Sequence, residues 1–288
     1  RPMSAPTALG PTETGWQRFR KDRAAVFAAW FLLAIAAACL LSPWIAPYPY
    51  QKQDLALGAV APCASHWFGT DILGRDVLSR LLQGGAVSHG VGLVATVVAL
   101  VFGVLYGVAA GQAGGLVERA MMRTVDILST LLLTLIVILC MVVFGQNIWM
   151  IFLAVGGVSW LTMSRIICTE TVSLKNRQFV EVSVALGQSK VGVFTHHYLP
   201  NLAGIIAIYA TLTVPGVMML EAFVSFLGLG VQAPMTSWGL MIKDGADIME
   251  ECPWLLIAPS VVFALTLLSL NFVGDGLRDA LDVRGAKD

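Results

Sequence analysis

Glu221 is the one carboxylate set inside a long apolar stretch, residues 200–227. An acid at mid-bilayer costs about 2.5–3.5 kcal/mol on insertion scales. Glu221 lies 21 residues past Pro200, about 31 Å along a helix rising ~1.5 Å per residue. That places it near the outer end of a span, where the cost is smaller. Two roles fit: lining the outer end of a pathway, where it would meet an ammonium, or pairing with a polar group on a neighbouring helix. Other candidate chemistry is sparse. His196 and His197 are adjacent, so they leave a helix on different faces, and a structural role is expected for them. Cys63 and His66 are a lone pair of potential ligands, short of a tetrahedral metal set. The five cysteines (Cys39, Cys63, Cys140, Cys168, Cys252) are scattered and odd in number, and read as small core hydrophobes rather than a disulfide framework. No lysine precedes Ser or Thr, so the Gly-Lys-Ser/Thr step that cradles nucleotide phosphates is missing. The expectation is a non-catalytic chain without cofactor or metal, driven by energy from elsewhere.

A second group of residues has a mechanical spacing. Glu181-Val-Ser-Val-Ala185-Leu-Gly187 is followed, after nine residues beginning Gln188-Ser189, by His197-Tyr-Leu-Pro200-Asn201. This predicts a short amphipathic helix, a glycine that turns the chain, a second short helix, and a proline that starts a span. Taken alone, it is either an ordinary interhelical loop or a rigid knob.

These residues need spans to hold them, and composition says the chain is mostly span. It is 57% hydrophobic and 12% charged, with a mean hydropathy of +0.78. A soluble domain carries about 25% charged residues, so a water-facing surface could not be covered, and a net charge of +0 lends no support to nucleic-acid binding. About 20 apolar residues cross the hydrocarbon core. Uncharged stretches predict six spans: residues 24–41, 91–110, two between Asp126 and Arg165 with a turn at Gly145-Gln146-Asn147, 200–227 and 254–273. The first lies too deep in the chain, and lacks a small-residue cleavage site, to be a signal peptide. Gly103, Gly107, Gly111 and Gly115 recur every fourth residue, which lets helix backbones approach closely, either within the chain or at a seam with a second chain.

With six spans both termini share one side. Placing them inside puts 14 of the 18 basic residues in inner segments, which by the positive-inside rule fixes the orientation. The expected layout is an inner segment 1–23, a membrane domain 24–275 and an inner tail 276–288. Outer segments are expected at about 43–87 and 228–253, and a polar inner loop at about 169–199. Trp44, Trp149 and Trp254 fall at outer span ends, where an indole favours the headgroup boundary.

The spacing from Glu181 to Pro200 resembles the EAA signature of ABC-importer permease subunits. Glu181, Ala185, Gly187 and Pro200 keep the pattern, while Val182 and Ser183 stand where small residues, usually Ala, are typical. His66-Trp-Phe-Gly-Thr-Asp71, the run Leu73 to Arg80, Ser225-Phe-Leu-Gly-Leu-Gly230, Ser237-Trp-Gly239 and the run Gly274 to Asp282 resemble the peptide/nickel permease family. Gln146-Asn-Ile, Val158-Ser-Trp160, Asp244-Gly-Ala and Pro253-Trp-Leu-Leu256 are most similar to the C subunits of oligopeptide permeases. The run Ala86-Val-Ser-His89-Gly departs from that family, which usually has Arg-Ile-Ser-Leu there.

The resemblance implies an all-α, type I ABC importer-like permease fold with six transmembrane helices in a bacterial cytoplasmic membrane. It implies a pore-forming subunit that passes oligopeptides or dipeptides by alternating access. It further implies a second, homologous permease subunit, two ATP-binding subunits that hold ATP and magnesium, and an extracytoplasmic peptide-binding protein. The coupling residues are then Glu181, Ala185, Gly187, Gln188 and Ser189, while Glu221 keeps its two readings, a pathway group or a structural pair. Within the family the alternative is a nickel or other small-solute permease. A membrane-embedded enzyme would need several intramembrane polar groups gathered together, and the spans offer chiefly Glu221. A secondary transporter would need internal repeats with broken helices, and none is visible.

The orientation has a direct test. A thiol-reactive reagent added outside intact cells is expected to label a cysteine placed at Asp247 and to spare one at Lys175 or Lys190. Labelling at Lys175 would invert the topology.

Overall fold

The computed structural model describes residues 15–281 apart from 132 and 146. Residues 1–14 of the expected inner segment, Gln146 of the expected turn and 282–288 of the tail lie outside the described residues. In chain order the helices are α1 (Gly15–Lys21), α2 (Arg23–Leu40), α3 (Ser42–Ile45), α4 (Val77–Ala113), α5 (Gly115–Thr130) and α6 (Leu133–Phe144). There follow α7 (Ile148–Lys175), α8 (Gln178–Ala185), α9 (Lys190–Val193), α10 (Leu199–Phe226), α11 (Trp238–Asp247) and α12 (Trp254–Leu281). The only extended pairing among the described residues is an isolated bridge between Thr70 and Asp76.

Among the described residues five helical stretches are long and apolar enough to cross a membrane: α2, α4, α7, the continuous run Lys190–Phe226 and α12. The pair α5 and α6 makes a sixth if counted as one span, although it bends by 81°. The sequence reading began its third span after Asp126. The structure instead starts a helix at Gly115 that carries Glu118, Arg119, Arg123 and Asp126, and leaves helical geometry at Leu131 (φ −72°, ψ 147°). The 12 residues of α6 extend only about 18 Å, too short to cross a ~30 Å core alone.

Other boundaries move too. The outer segment expected to run to residue 87 is already helical from Val77, because Asp76 caps α4 by accepting the backbone N–H of Ser79 at 2.8 Å. The uncharged stretch begins only after Arg80, so hydropathy alone does not show that residues 77–87 are already helical. At 37 residues α4 is about 55 Å long, so it projects well beyond the hydrocarbon. The expected outer segment 228–253 contains the helix α11, and α12 continues to Leu281 inside the expected tail. The proline expected to start a fresh span does not interrupt the chain. α9 runs through a π-helical turn, Phe194–Tyr198, into α10. Pro200 cannot donate to a preceding carbonyl and its ring crowds residue i−4; the wider turn, closed by Leu199 N–H to Phe194 O, accommodates it.

The most extensive helix pair is α4 with α7, and the glycine row explains why. A Cβ on Gly103 would lie 2.7 Å from Met163 Cβ, one on Gly107 2.6 Å from the Ser164 carbonyl oxygen, and one on Gly111 2.7 Å from Thr171 Cβ. The row is therefore an internal seam, with Gly115 outside it in open space at the start of α5. Around the seam lie three apolar clusters. One joins Val91, Ala95, Met141, Val155 and Val217. A second gathers Cys39, Val77, Met218, Leu255 and the fully buried Trp238. The third ties Val104 and Ile167 to Val180, Tyr198 and Leu202, at the α8 end of the molecule.

Gly107→Val should drive a side chain into backbone and lower stability by about 1–3 kcal/mol, seen as a reduced melting temperature in detergent. Gly157, helical with nothing within 4 Å of its would-be Cβ, is the control. Gly157→Ala is expected to be neutral or to stabilise by up to about 1 kcal/mol.

Candidate functional site

The segment after α7 is built by local rules. α8 ends in a Schellman motif: Gln188 N–H bonds the Ser183 carbonyl at 3.2 Å and Gly187 N–H bonds the Val184 carbonyl at 3.0 Å. Gly187 sits at φ +84°, a left-handed conformation that a Cβ opposes. Two residues on, Ser189 caps α9 by accepting Gly192 N–H at 3.1 Å. Gly187, Gln188 and Ser189 are thus the C′, C″ and N-cap positions of one tight helix-to-helix turn.

Side chains fasten this turn to the membrane helices. His197 Nε2 lies 3.0 Å from both Ser183 Oγ and Gln188 Oε1, and the Ser183 hydroxyl donates to the same Gln188 oxygen. His196 Nδ1 lies 3.0 Å from the Gly192 carbonyl oxygen. Both histidines are engaged structurally. At the end of α4, Gln112 joins the neighbouring elements: Lys175 Nζ donates to its carbonyl at 3.0 Å, and its own amide donates to the Lys190 carbonyl at 3.3 Å. Val180, 1% exposed, plugs α8 into the third apolar cluster. Gln112 is not singled out by the sequence, and Ser183 stands out there only as a departure from the EAA pattern. Their roles depend on partners brought near by folding, and only the neighbouring His197 and Lys190 hinted at them.

The opposite face of the turn is apolar and uncovered. Leu186 is 83% exposed and Val191 71%, with Val182 and Val184 more than half exposed. Glu181 and Ala185 are exposed beside them, and Glu181 makes no hydrogen bond or ion pair among the described residues. A separate groove opens on the braced side, between the turn and the ends of α4 and α7, and is lined by Gln112, Lys175, Val180, Glu181, Ala185, Gln188 and Lys190.

At the other end, the 66–80 segment forms a polar cap. Asp71 Oδ2 accepts from Arg75 Nε and Arg80 Nη1, each at 2.6 Å, while Oδ1 accepts the backbone N–H groups of Leu73 and Arg75. Arg80, 5% exposed, turns its other nitrogen to Asp244 on α11 at 3.2 Å. Asp76 divides its oxygens between the Ser79 cap and His66 Nδ1 at 2.9 Å. His66 is therefore held by Asp76. Cys63 contacts Ser65 Oγ at 3.2 Å instead, and hydrogen bonds from Ser65 and the His66 backbone hold its exposed thiol below the usual thiol pKa. Trp254 Nε1 donates to the Thr70 carbonyl at 3.3 Å, joining the cap to α12. Trp44 and Trp149 are exposed.

Glu221 is fully buried at the junction of α4, α10 and α11. It accepts the Ser225 hydroxyl at 2.7 Å and the Ser88 hydroxyl at 3.3 Å. Ser88 accepts Trp238 N–H at 3.1 Å, and Trp238 Nε1 donates to the Leu81 carbonyl at 2.8 Å. Ser237 Oγ lies 3.4 Å from Ser225 Oγ. The structural partners left open by the sequence are thus Ser88 and Ser225. His89, at the family departure, reaches the Gly85 carbonyl at 2.7 Å and meets Trp238 edge-on at 5.1 Å.

Glu221→Gln keeps an acceptor of the same shape and is expected to preserve assembly. Glu221→Leu strands two buried hydroxyls, at about 1–3 kcal/mol for each unpaired group. Size-exclusion yield and peptide uptake separate the roles. Slowed uptake by an assembled Glu221→Gln protein would place the group on the pathway, and loss of assembly in Glu221→Leu alone would make it a strut.

With this geometry in view, comparison with known proteins is specific. Residues 103–286 match the family model for the binding-protein-dependent transport system inner membrane component. Residues 10–62 match the N-terminal transmembrane domain of oligopeptide transport permease C. The chain is 47% identical over 273 residues to the oligopeptide transport system permease protein OppC of Escherichia coli K12, covering 93% of this chain and 90% of that one. It is 43% identical to the protein of the same name in Haemophilus influenzae, over 93% and 88% of the two chains. It is 38% identical to the dipeptide transport system permease protein DppC of Bacillus subtilis, over 96% and 86%. Among solved structures, an inward-facing form of the MetNI methionine ABC transporter aligns with a TM-score of 0.56 at 15% identity, covering 70% of this chain and 97% of that chain, a likeness of fold. The chain belongs to the family of binding-protein-dependent transport system inner membrane components, multi-pass permeases of ABC importers.

Proposed function

We propose that this chain is one of two homologous pore-forming subunits of an ATP-driven importer of oligopeptides, with both termini on the cytoplasmic side. Its partners would be a second permease chain, two ATP-binding subunits that hold ATP and magnesium, and an extracytoplasmic binding protein that delivers the peptide. The names of the relatives support the substrate class. The observation that carries the mechanical part is the uncovered apolar face of the α8–α9 turn, which its own chain braces and leaves open.

In this reading the face around Leu186 seats in a cleft of an ATP-binding subunit, with Glu181 free to meet a basic group there. Such a charge-assisted hydrogen bond is worth about 1.5–3 kcal/mol. Closure of the two ATP-binding subunits would draw the turns together. Because Ser183, Gln188 and His197 tie each turn to α10, and Gln112 ties it to α4, the displacement would pass directly into the spans. The Glu221 carboxylate would reach the path only when α11 lifts from α4 and α10, since Ser88, Ser225 and Trp238 now cover it.

A Cβ at Gly187 would meet nothing within 4 Å, but Gly187→Trp imposes a side chain on a left-handed residue, at about 1 kcal/mol or more, and fills the space a partner would take. Together with Glu181→Lys, it is expected to lower binding-protein-stimulated ATP hydrolysis and peptide uptake by at least about tenfold, about 1.4 kcal/mol, while the chain still inserts and folds. Cross-links from cysteines at Ala185 or Ser189 should reach the ATP-binding subunit and not the binding protein. Normal uptake by Gly187→Trp would show the turn to be an ordinary loop. Nickel uptake in place of peptide uptake by the intact complex would correct the substrate.

A further inference from the structure

The short helix α1 and the start of α2 form a cleft that the transport mechanism does not use. Trp16, Phe19 and Arg20 line one wall, at positions i, i+3 and i+4 of α1. Val26, Ala29, Trp30 and Leu33 line the other, at i, i+3, i+4 and i+7 of α2. Each wall is one helix stripe, and the turn at Asp22 joins them at the closed end. The cleft is preformed, because both helices pack on α12, α2 through Ala25 and α1 through an edge of the Phe19 ring. A Cβ on Gly276 would lie 2.5 Å from Ala25 Cβ and 3.3 Å from the Phe19 ring. Its own walls stay open: Trp16 is 68% exposed, Trp30 66% and Leu33 60%.

Charge and length say what fits. Arg18, Arg20, Lys21 and Arg23 fall within six residues of sequence around the turn at Asp22. The one acid among them, Asp22, is spent capping α2, accepting Ala24 N–H at 2.9 Å and Ala25 N–H at 3.2 Å. Arg20, at the cleft, and Arg23 have no hydrogen bond or ion pair among the described residues. From Arg23 to Leu33 the apolar wall runs ten residues, about 15 Å, which is half of a ~30 Å hydrocarbon core. A basic cluster at the end of a membrane helix attracts anionic headgroups, and this one continues into an apolar trough the depth of one leaflet.

We infer that this cleft binds an anionic phospholipid, with its phosphate at Arg20 and Arg23 and one acyl chain along Trp16, Phe19, Trp30 and Leu33. The site would lock α1 and α2 onto α12 from the bilayer side. It is separate from the α8–α9 turn and from the pathway.

The test uses the assembled complex extracted in mild detergent, with phosphatidylglycerol or phosphatidylethanolamine added in turn and retained lipid counted by native mass spectrometry. Phosphatidylglycerol is expected to be retained at least about fivefold over phosphatidylethanolamine, the factor that ~1 kcal/mol per basic residue at an anionic surface gives. Arg20→Gln should lower that ratio by about fivefold, the share of one basic residue, and Trp30→Ala should reduce retention of both lipids. Millimolar inorganic phosphate should leave the bound phosphatidylglycerol in place. Equal retention of the two lipids by the unaltered complex, or a ratio unchanged in Arg20→Gln, would overturn the inference. So would displacement of the lipid by phosphate, which would reduce the site to a bare anion site. A photocrosslinker at Leu33 that captures the second permease chain or residues 1–14, rather than lipid, would also overturn it.

Discussion

The close approach of α4 to α7 is the contact on which the rest of the molecule hangs. Glycines at 103, 107 and 111 bring the two backbones together until a methyl group would strike Met163, Ser164 or Thr171. Between lipid tails there is no hydrophobic gain in pressing helices together, so dispersion contacts over a long, smooth seam must supply the adhesion. That seam makes α4 a stiff rod of 37 residues. One end of the rod carries Arg80 and Ser88, and the other carries Gln112.

Both ends are fixed by polar groups, by different means. At the Arg80 end Asp71, Arg80 and Glu221 are buried, and leaving any of them unpaired would cost more than the pairing gains. Asp71 and Arg80, with the part-exposed Asp244, therefore form a chain that joins the 66–80 cap to α11. Glu221 joins α10 to α4 through Ser88, which in turn holds Trp238 of α11. At the Gln112 end the bonds are part-exposed: Gln112 to Lys175 and Lys190, His197 to Ser183 and Gln188. The Arg80 end is a junction of helices and cap. The Gln112 end is a bracket that presents an apolar surface.

These arrangements fit one mechanical picture. A turn that flexed would absorb a push from a partner. This turn is braced by a Schellman motif, an N-cap and a histidine clamp, and its Val180 sits in the core with Tyr198 and Leu202. In the proposed coupling role, displacement of the turn would move α10 and α4 with it. The route from there to the Glu221 junction would run through α10, which follows the turn bearing His197 at one end and carries Glu221 near the other.

The sequence by itself determined what short-range physics and composition control. Apolar length and the missing charge place the spans, because every backbone polar group in lipid must be satisfied within a helix. The Gly187 turn was legible because only glycine relieves the left-handed φ at the end of α8. The four-residue glycine period announced a close helix contact, but not which chain lay across it. Tertiary structure decided the rest. The bend between α5 and α6 was hidden because apolar residues continue across it, and the π-turn before Pro200 was hidden because hydropathy does not register how a proline ring is accommodated. Glu221 showed its cost in sequence but not its partner, since Ser88 is 133 residues away along the chain. Arg80 likewise meets Asp244 across 164 residues. Pairings at such separation follow from where the packed helices bring side chains together, which no local spacing encodes.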